Sequence, residues 1–244
     1  MTLLVDTGCP HGVAVEDRVP GVQHRLAEFA RAAQYGRLTW HRPGPSAAFG
    51  RRDVTSPGFG AAVGALGARG FTPFVRPVGG RLAAYDEGSL VLELLVRDDE
   101  PRSGTTARFR AVSGAIAVGL TRLGVEARTG AVPGEYCPGT WSVNAGGRRK
   151  LAGAGQRLVP GAALVTALIV VREAAALRDA MVEAYGLLGL EMDPDSVGAV
   201  SDDVAGVTLD DVEHAIEQAL TEVLSLELPD QSGARSLAAP WRPR

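Results

Sequence analysis

Two apolar runs of strand length constrain this chain most. Ser89 to Val96 reads SLVLELLV, and Ala162 to Val171 reads AALVTALIVV. Strand side chains alternate between two faces, so a run apolar at nearly every position belongs in a sheet interior. A third strand is expected at Thr72 to Arg76, running into Gly79-Gly80, and all three are expected in one sheet. Shorter strands are predicted at Arg37 to Arg42 and Ser46 to Gly50, joined by Pro43-Gly44, and at Trp141 to Asn144.

Helical spacing of apolar residues marks the other elements. Gly21 to Tyr35 places Val22, Leu26, Phe29, Ala30 and Ala33 on one face. Phe59 to Arg69 is a small-residue helix closed by Gly70. Thr105 to Leu123 offers Phe109, Val112, Ile116, Val118 and Leu120 for burial and stops at Gly124. Glu173 to Tyr185 is a further helix, and Thr208 caps a last one carrying Val212, Ile216 and Leu220. Met192 to Val207 reads as a linker. Strands and helices alternate without regular βαβ spacing, which predicts an α+β domain around a mixed sheet. Residues 1–228 are expected to form that single domain, with 229–244 a flexible tail. The first dozen residues are also expected to be poorly anchored.

Composition excludes several functions. A net charge of −3 over 244 residues gives no basic field for nucleic acid. No apolar run is long enough to span a bilayer, and the N-terminus lacks the basic region and apolar core of a signal peptide. A cytoplasmic location is expected. Two cysteines, Cys9 and Cys137, form no disulfide framework.

The chemistry is concentrated in EYCPGTWSVNAGGRRKLAGAGQRL, residues 135–158. Cys137 sits in a Pro/Gly turn rather than an apolar run, so it is a candidate nucleophile if a cation makes it a thiolate. Arg76 and Lys150 are the candidate cations. Lys150 is the only lysine in a chain otherwise supplied with arginine, which suggests a task for a point charge rather than a guanidinium fork. A positioned ammonium polarises an acyl carbonyl or stabilises an oxyanion. Gly153 and Gly155 permit close approach of a ligand, and Gln156 adds an amide. Upstream, Gly79 and Gly80 let backbone amides approach an anion or carbonyl, while Arg76 and Arg81 supply charge. Asp86, in the turn after that loop, is a candidate to orient a substrate amine or Lys150. Taken alone, the Gly79-Gly80 and Asp86 segments also read as ordinary hydrophilic turns.

The order of these segments resembles the lipoate-protein ligase and octanoyltransferase superfamily. The resemblance is carried by Arg76, Gly79-Gly80, Asp86 and SLVLELLV, by LTWHRPGPSAAFGRRD upstream, and by NAGGRRKLAGAGQR, whose lysine is Lys150. It covers about Leu38 to Val171. EYCPGTW is similar to the cysteine-dependent branch, the lipoyl amidotransferases. Two positions depart from the family: Tyr85 stands where a His is usual, and Val75 where a second Arg is common.

The resemblance implies a mixed, mainly antiparallel sheet flanked by helices, the class II synthetase-like fold of biotin and lipoate ligases. It implies acyl transfer of octanoyl, or lipoyl, through a Cys137 thioester to the target lysine of a lipoyl domain. The implied partners are the glycine-cleavage H protein and 2-oxoacid dehydrogenase E2 subunits. Lys150 would contact the acyl carbonyl, with no cofactor. The alternatives are a ligase using ATP and Mg, with Cys137 structural, and a non-catalytic lipoyl- or acyl-binding paralogue. An acyl tunnel is expected between Arg76–Arg81 and Gly153–Gly155, lined by Val78, Leu82 and Ala152.

Overall fold

The computed structural model describes residues 3–6, 21–32 and 36–224. Its centre is a seven-stranded sheet in the order β1-β2-β6-β10-β9-β8-β7. These are β1 (Leu3–Asp6), β2 (Gly36–His41), β6 (Ser89–Arg97), β7 (Ala127–Thr129), β8 (Val143–Ala145), β9 (Arg149–Val159) and β10 (Ala162–Val170). Within this sheet only the β1–β2 pair is parallel. The mainly antiparallel α+β architecture is the expected one. Strand β1 is an anchoring that the Pro- and Gly-rich N-terminus did not suggest, and the 229–244 tail lies outside the described residues.

The two apolar runs are neighbours at the sheet centre, with Leu94 opposite Val165 and Leu92 opposite Ala167. Leu90, Leu92 and Leu94 face a core built with Val112, Ile116, Ile216 and Leu220. Those residues come from α4 (Thr105–Arg122) and α6 (Leu209–Leu224), which pack together on that face. Each fully buried leucine contributes ~1.5–3 kcal/mol. Val118, expected inside, is instead exposed on the outer side of α4. Thr208 caps α6 as expected: its hydroxyl accepts from the Asp211 N–H, and the Asp211 carboxylate accepts from the Thr208 N–H.

The opposite face is covered by α1 (Val22–Arg31), α3 (Phe59–Ala68), α5 (Ala174–Leu187) and a small second sheet in the order β4-β3-β5. That sheet comprises β3 (Ser46–Phe49), β4 (Thr72–Val75) and β5 (Ala83–Tyr85), with the short helix α2 (Arg51–Val54) following β3. Here the structure corrects the sequence reading. Residues 72–75 do not join β6 and β10; they form the edge of the second sheet, paired in parallel with β3. Pro73 has no N–H to give a ladder on both sides, and three of the four positions stay exposed, so an edge suits this segment.

Two further segments differ from expectation. Residues 149–159 form one eleven-residue strand, although Ala152, Gly153, Ala154 and Gly155 have weak strand propensity. Pairing with β10 along eight positions overrides it. The stretch from Met192 to Val207 is not a linker. It makes two 3-10 turns, at Pro194–Ser196 and Val200–Asp202, and buries Val197, Ala199 and Val200. Val197 bridges the backbone of Lys150, and the Gly198 N–H donates to the Lys150 carbonyl.

Candidate active site

The Gly79-Gly80 loop, the Cys137 turn and strand β9 meet at one groove on the α5 side of the main sheet. Arg76, Gly79, Gly80, Cys137, Lys150, Gly153 and Gln156 all line it. A second hollow continues it beneath the same loop, sharing Arg76, Gly153, Gly155 and Leu168. Phe109 and Trp141 stack as parallel rings on the other side of the first. Seven of the eight sequence-predicted site residues are thus brought together. Asp86 is not. It does not line the groove, and its carboxylate accepts from the Gly88 N–H and the Ser89 hydroxyl within its own turn.

Cys137 has a left-handed backbone, φ 42°, which an L residue adopts only when its surroundings hold it there. Two hydrogen bonds through one hydroxyl hold it. Its N–H donates to the Tyr185 hydroxyl at 2.7 Å, and that hydroxyl donates to the Leu82 carbonyl at 2.8 Å. Tyr185 therefore ties the cysteine turn to the end of the glycine loop. The thiol then lies on that loop. Arg76 Nη2 donates to Sγ at 3.0 Å and the Arg81 N–H donates at 3.2 Å. A side chain on Gly80 would push Arg76 off the thiol: its Cβ would stand 2.1 Å from Arg76 Nη2 and 2.7 Å from Sγ, at φ 112°. Asp53, fully buried, holds the loop from behind through Arg81 Nη1 and the Gly50 N–H.

These contacts set the acidity of the thiol. Burial pushes the Cys137 pKa up, but the Arg76 charge, the Lys150 charge and the Arg81 N–H outweigh it and bring the thiol below its ordinary value. Cys137 is a free cysteine of intermediate exposure.

Lys150 is placed differently from the sequence expectation. It is 1% exposed. Its ammonium donates to the carbonyls of Tyr136 and Cys137, each at 2.9 Å, and pairs with the Glu135 carboxylate at 3.6 Å, an ion pair longer than a hydrogen bond. It also lies 4.6 Å from the centre of the Tyr136 ring. Burial lowers its pKa, opposed by the charges of Glu135 and Cys137. In this state the ammonium braces the turn that carries the nucleophile. Gly153 makes room for it, since a Cβ there would stand 3.0 Å from Lys150 Cε.

Sequence reasoning missed Glu135 and Tyr185. Glu135 is 3% exposed; its Oε1 accepts from the Gly139 N–H and the Ser142 hydroxyl, closing the turn around Cys137. Its adjacency to Cys137 was the available signal. Tyr185 gave none, because it reaches the site from α5. The expected tunnel walls also change. Val78 lines the continuing hollow, but Leu82 is buried beneath the loop and Ala152 faces the opposite core. Gln156 lines the groove while its amide bonds Arg108 and the Thr105 carbonyl. Among the described residues, no group of three or more His, Cys, Asp or Glu is placed to hold a metal ion.

The model of the lipoyl protein ligase A/B catalytic domain matches residues 21–221. The chain belongs to that family. Among curated relatives, this family member is 26% identical over 193 residues to the octanoyl-GcvH:protein N-octanoyltransferase of Geobacillus kaustophilus, covering 79% of the chain and 63% of the relative. It is 29% identical over 136 residues to the enzyme of the same name from Anoxybacillus flavithermus, covering 56% of the chain and 48% of the relative. The chain thus spans less than two thirds of the length of either. The fold is that of the solved lipoate-protein ligases. A lipoate-protein ligase A bound with ATP superposes with a TM-score of 0.68 at 20% identity, over 94% of this chain and 87% of that one. A putative lipoate protein ligase from T. acidophilum with bound lipoic acid gives 0.64 at 22% identity, over 92% and 86%.

Proposed function

We propose that this protein is an acyltransferase that carries a medium-chain acyl group, octanoyl or lipoyl, as a thioester on Cys137 and passes it to a lysine of a lipoyl domain. The observation that carries the reading is the thiol itself. It is held by Arg76 and the Arg81 N–H on a glycine loop, with its pKa lowered, at the mouth of a groove floored by Gly153 and Gly155. A structural cysteine needs none of these contacts. The curated relatives named as octanoyltransferases support the same direction.

In the first step the Cys137 thiolate attacks the carbonyl carbon of an acyl-lysine amide on the donor, for which the glycine-cleavage H protein is proposed. The C–N bond breaks, the leaving amine takes a proton from water, and a thioester remains. In the second step a neutral lysine amine of the acceptor, a lipoyl domain such as that of an E2 subunit, attacks the thioester. The C–S bond breaks, the thiolate returns to Arg76, and the new amide loses its proton to water. An amide is consumed and an amide is made, so the exchange needs no nucleotide or metal. Dividing it through a thioester replaces one difficult step by two easier ones. Arg76 and the Arg81 N–H are the donors closest to the reacting centre, while Lys150 and Glu135 fix the turn beneath it.

The test is acylation of a purified lipoyl domain from an octanoylated H protein, with and without ATP. Native protein should transfer without ATP, and Cys137→Ala should not. Acylation by Cys137→Ala only when ATP and free octanoate are supplied would favour a ligase, and transfer by it from the H protein without ATP would defeat the reading.

A further inference from the structure

Strand β9 outruns its neighbour. β8 pairs with it only as far as Ala152, and among the described residues no other strand takes over on that side. From Gly153 to Val159 the strand is paired with β10 on one side and open on the other. The turn fixes which groups face out. Val159 and Ala162 flank the two-residue turn Pro160-Gly161, so they form a hydrogen-bonded pair, and such pairs alternate along an antiparallel ladder. Gly153, Gly155 and Arg157 have the same parity and give their main-chain groups to β10. Ala154, Gln156 and Leu158 point theirs outward. Among the described residues, none of these three N–H groups and three carbonyls has a hydrogen-bond partner.

The open edge lies inside the groove of the nucleophile. Ala154, Gln156 and Leu158 line it together with Cys137, Phe109 and Trp141. The thiol stands at the Gly153 end, because Lys150 Nζ donates to the Cys137 carbonyl at 2.9 Å and would stand 3.3 Å from a Cβ on Gly153. At the other end, Leu158 is shared with a further hollow that also touches Pro101, Ser103 and Pro160. At ~3.3 Å per residue, the edge from Gly153 to Val159 runs about 20 Å. A slot with a reactive thiol at one end and main-chain donors and acceptors along one side suits an extended polypeptide.

The proposed reaction brings two different proteins, a donor and an acceptor, to one thiol. Each presents a lysine on a stretch of backbone. Main-chain hydrogen bonds recognise extended backbone whatever its side chains, so one edge can serve both. A second copy of this chain cannot pair here through its own β9, whose edge is walled in the same way.

We infer that the open edge of β9 is the docking strand for the protein substrates. The segment next to the target lysine adds to it, filling the position that β8 leaves empty, and exchanges hydrogen bonds with Ala154, Gln156 and Leu158. The lysine side chain then turns in at Gly153 to reach Cys137. This inference rests on the thioester reading and specifies how its two partners are held.

The experiment reads amide hydrogen exchange residue by residue on the full chain, alone and with a saturating unacylated E2 lipoyl domain. Alone, the Ala154, Gln156 and Leu158 amides should exchange faster than those of Gly155 and Arg157, which β10 holds. With the lipoyl domain these three should slow by about tenfold or more, and the H protein should slow the same three. Leu158→Pro removes one outward N–H and spares the ladder to β10. Its kcat/KM for the lipoyl domain should fall about tenfold, the size of a lost hydrogen bond, through a raised KM. Octanoyl loading of this variant from the N-acetylcysteamine thioester, which does not use the edge, reports whether the site is intact. The inference is overturned if the three amides do not slow at saturation, or if Leu158→Pro loads normally and transfers with native kcat/KM. It is equally overturned if the three slow with protein concentration alone, which is pairing between copies. Should Leu158→Pro fail to load, the exchange pattern of the native protein decides alone. Absence of a Cys137 adduct in native protein is a separate result that counts against the thioester reading, and the exchange pattern still decides the fate of the edge.

Discussion

Replacing Arg76 by methionine removes the cation that sits on the nucleophile. Arg76 Nη2 is 3.0 Å from Cys137 Sγ. At that separation and an effective dielectric near 20, two unit charges attract by about 5 kcal/mol. Water entering the space restores part of this, and a hydrogen bond to a charged group contributes about 1.5–3 kcal/mol net. Each ~1.4 kcal/mol is a factor of ten, so the thiolate population at neutral pH should fall roughly 10- to 100-fold. The sign follows from the causes. Burial raises the thiol pKa and Arg76 is the largest opposing influence, so its loss moves the pKa up. The remaining thiolate is a stronger nucleophile, which returns some rate, since reactivity rises with pKa at a slope of about 0.4–0.5. The assay is iodoacetamide alkylation of Cys137 across a pH series. Native protein should show an inflection below the ordinary thiol value of about 8.5. Arg76→Met should be slow at neutral pH and recover at alkaline pH, and Arg76→Lys should fall between, because it keeps the charge and loses the fork. A superimposable profile for native protein and Arg76→Met would refute the electrostatic argument.

Three other outcomes follow from the same geometry. Tyr185→Phe leaves the Cys137 N–H and the Leu82 carbonyl without the hydroxyl that joins them, so it should shift the alkylation profile to higher pH; an equally destabilised core variant such as Leu120→Ala should not. Gly155→Val drives a side chain into Val78, and acyl loading should fall by tenfold or more with little change in alkylation by small iodoacetamide. Lys150→Met leaves the Glu135 carboxylate buried and unpaired, which should cost about 3–5 kcal/mol in chemical denaturation. The double variant with Glu135→Gln should regain much of that stability without regaining transfer.

The parts of this protein legible in its sequence are those set by local pattern. SLVLELLV and AALVTALIVV are apolar at nearly every position because both faces of the sheet centre are covered, and they are adjacent strands. Arg76, Gly79-Gly80, Cys137 and Lys150 stood out by residue type, and the fold gathers them at one groove. What was not legible depends on partners distant in sequence. Thr72–Val75 looks like any short strand until Pro73 and its pairing with β3 assign it to an edge. Small residues hid β9, whose glycines answer to Lys150 and Val78 rather than to strand propensity. Val197 and Val200 are too few to set a period, so a buried segment read as a linker. Lys150 looked poised for substrate because nothing local reveals that its protons point at the carbonyls of the cysteine turn. Asp86 is the reverse case, a turn residue whose carboxylate serves its own turn.

The central claim is that Cys137 carries the acyl group. Its most direct test is intact-mass analysis followed by peptide mapping of the native protein after incubation with octanoylated H protein and no nucleotide. The account predicts one octanoyl adduct, on the peptide containing Cys137, released by hydroxylamine at neutral pH as a thioester is and absent in Cys137→Ala. Efficient transfer to a lipoyl domain with no adduct at Cys137, even in rapidly quenched samples, would contradict it.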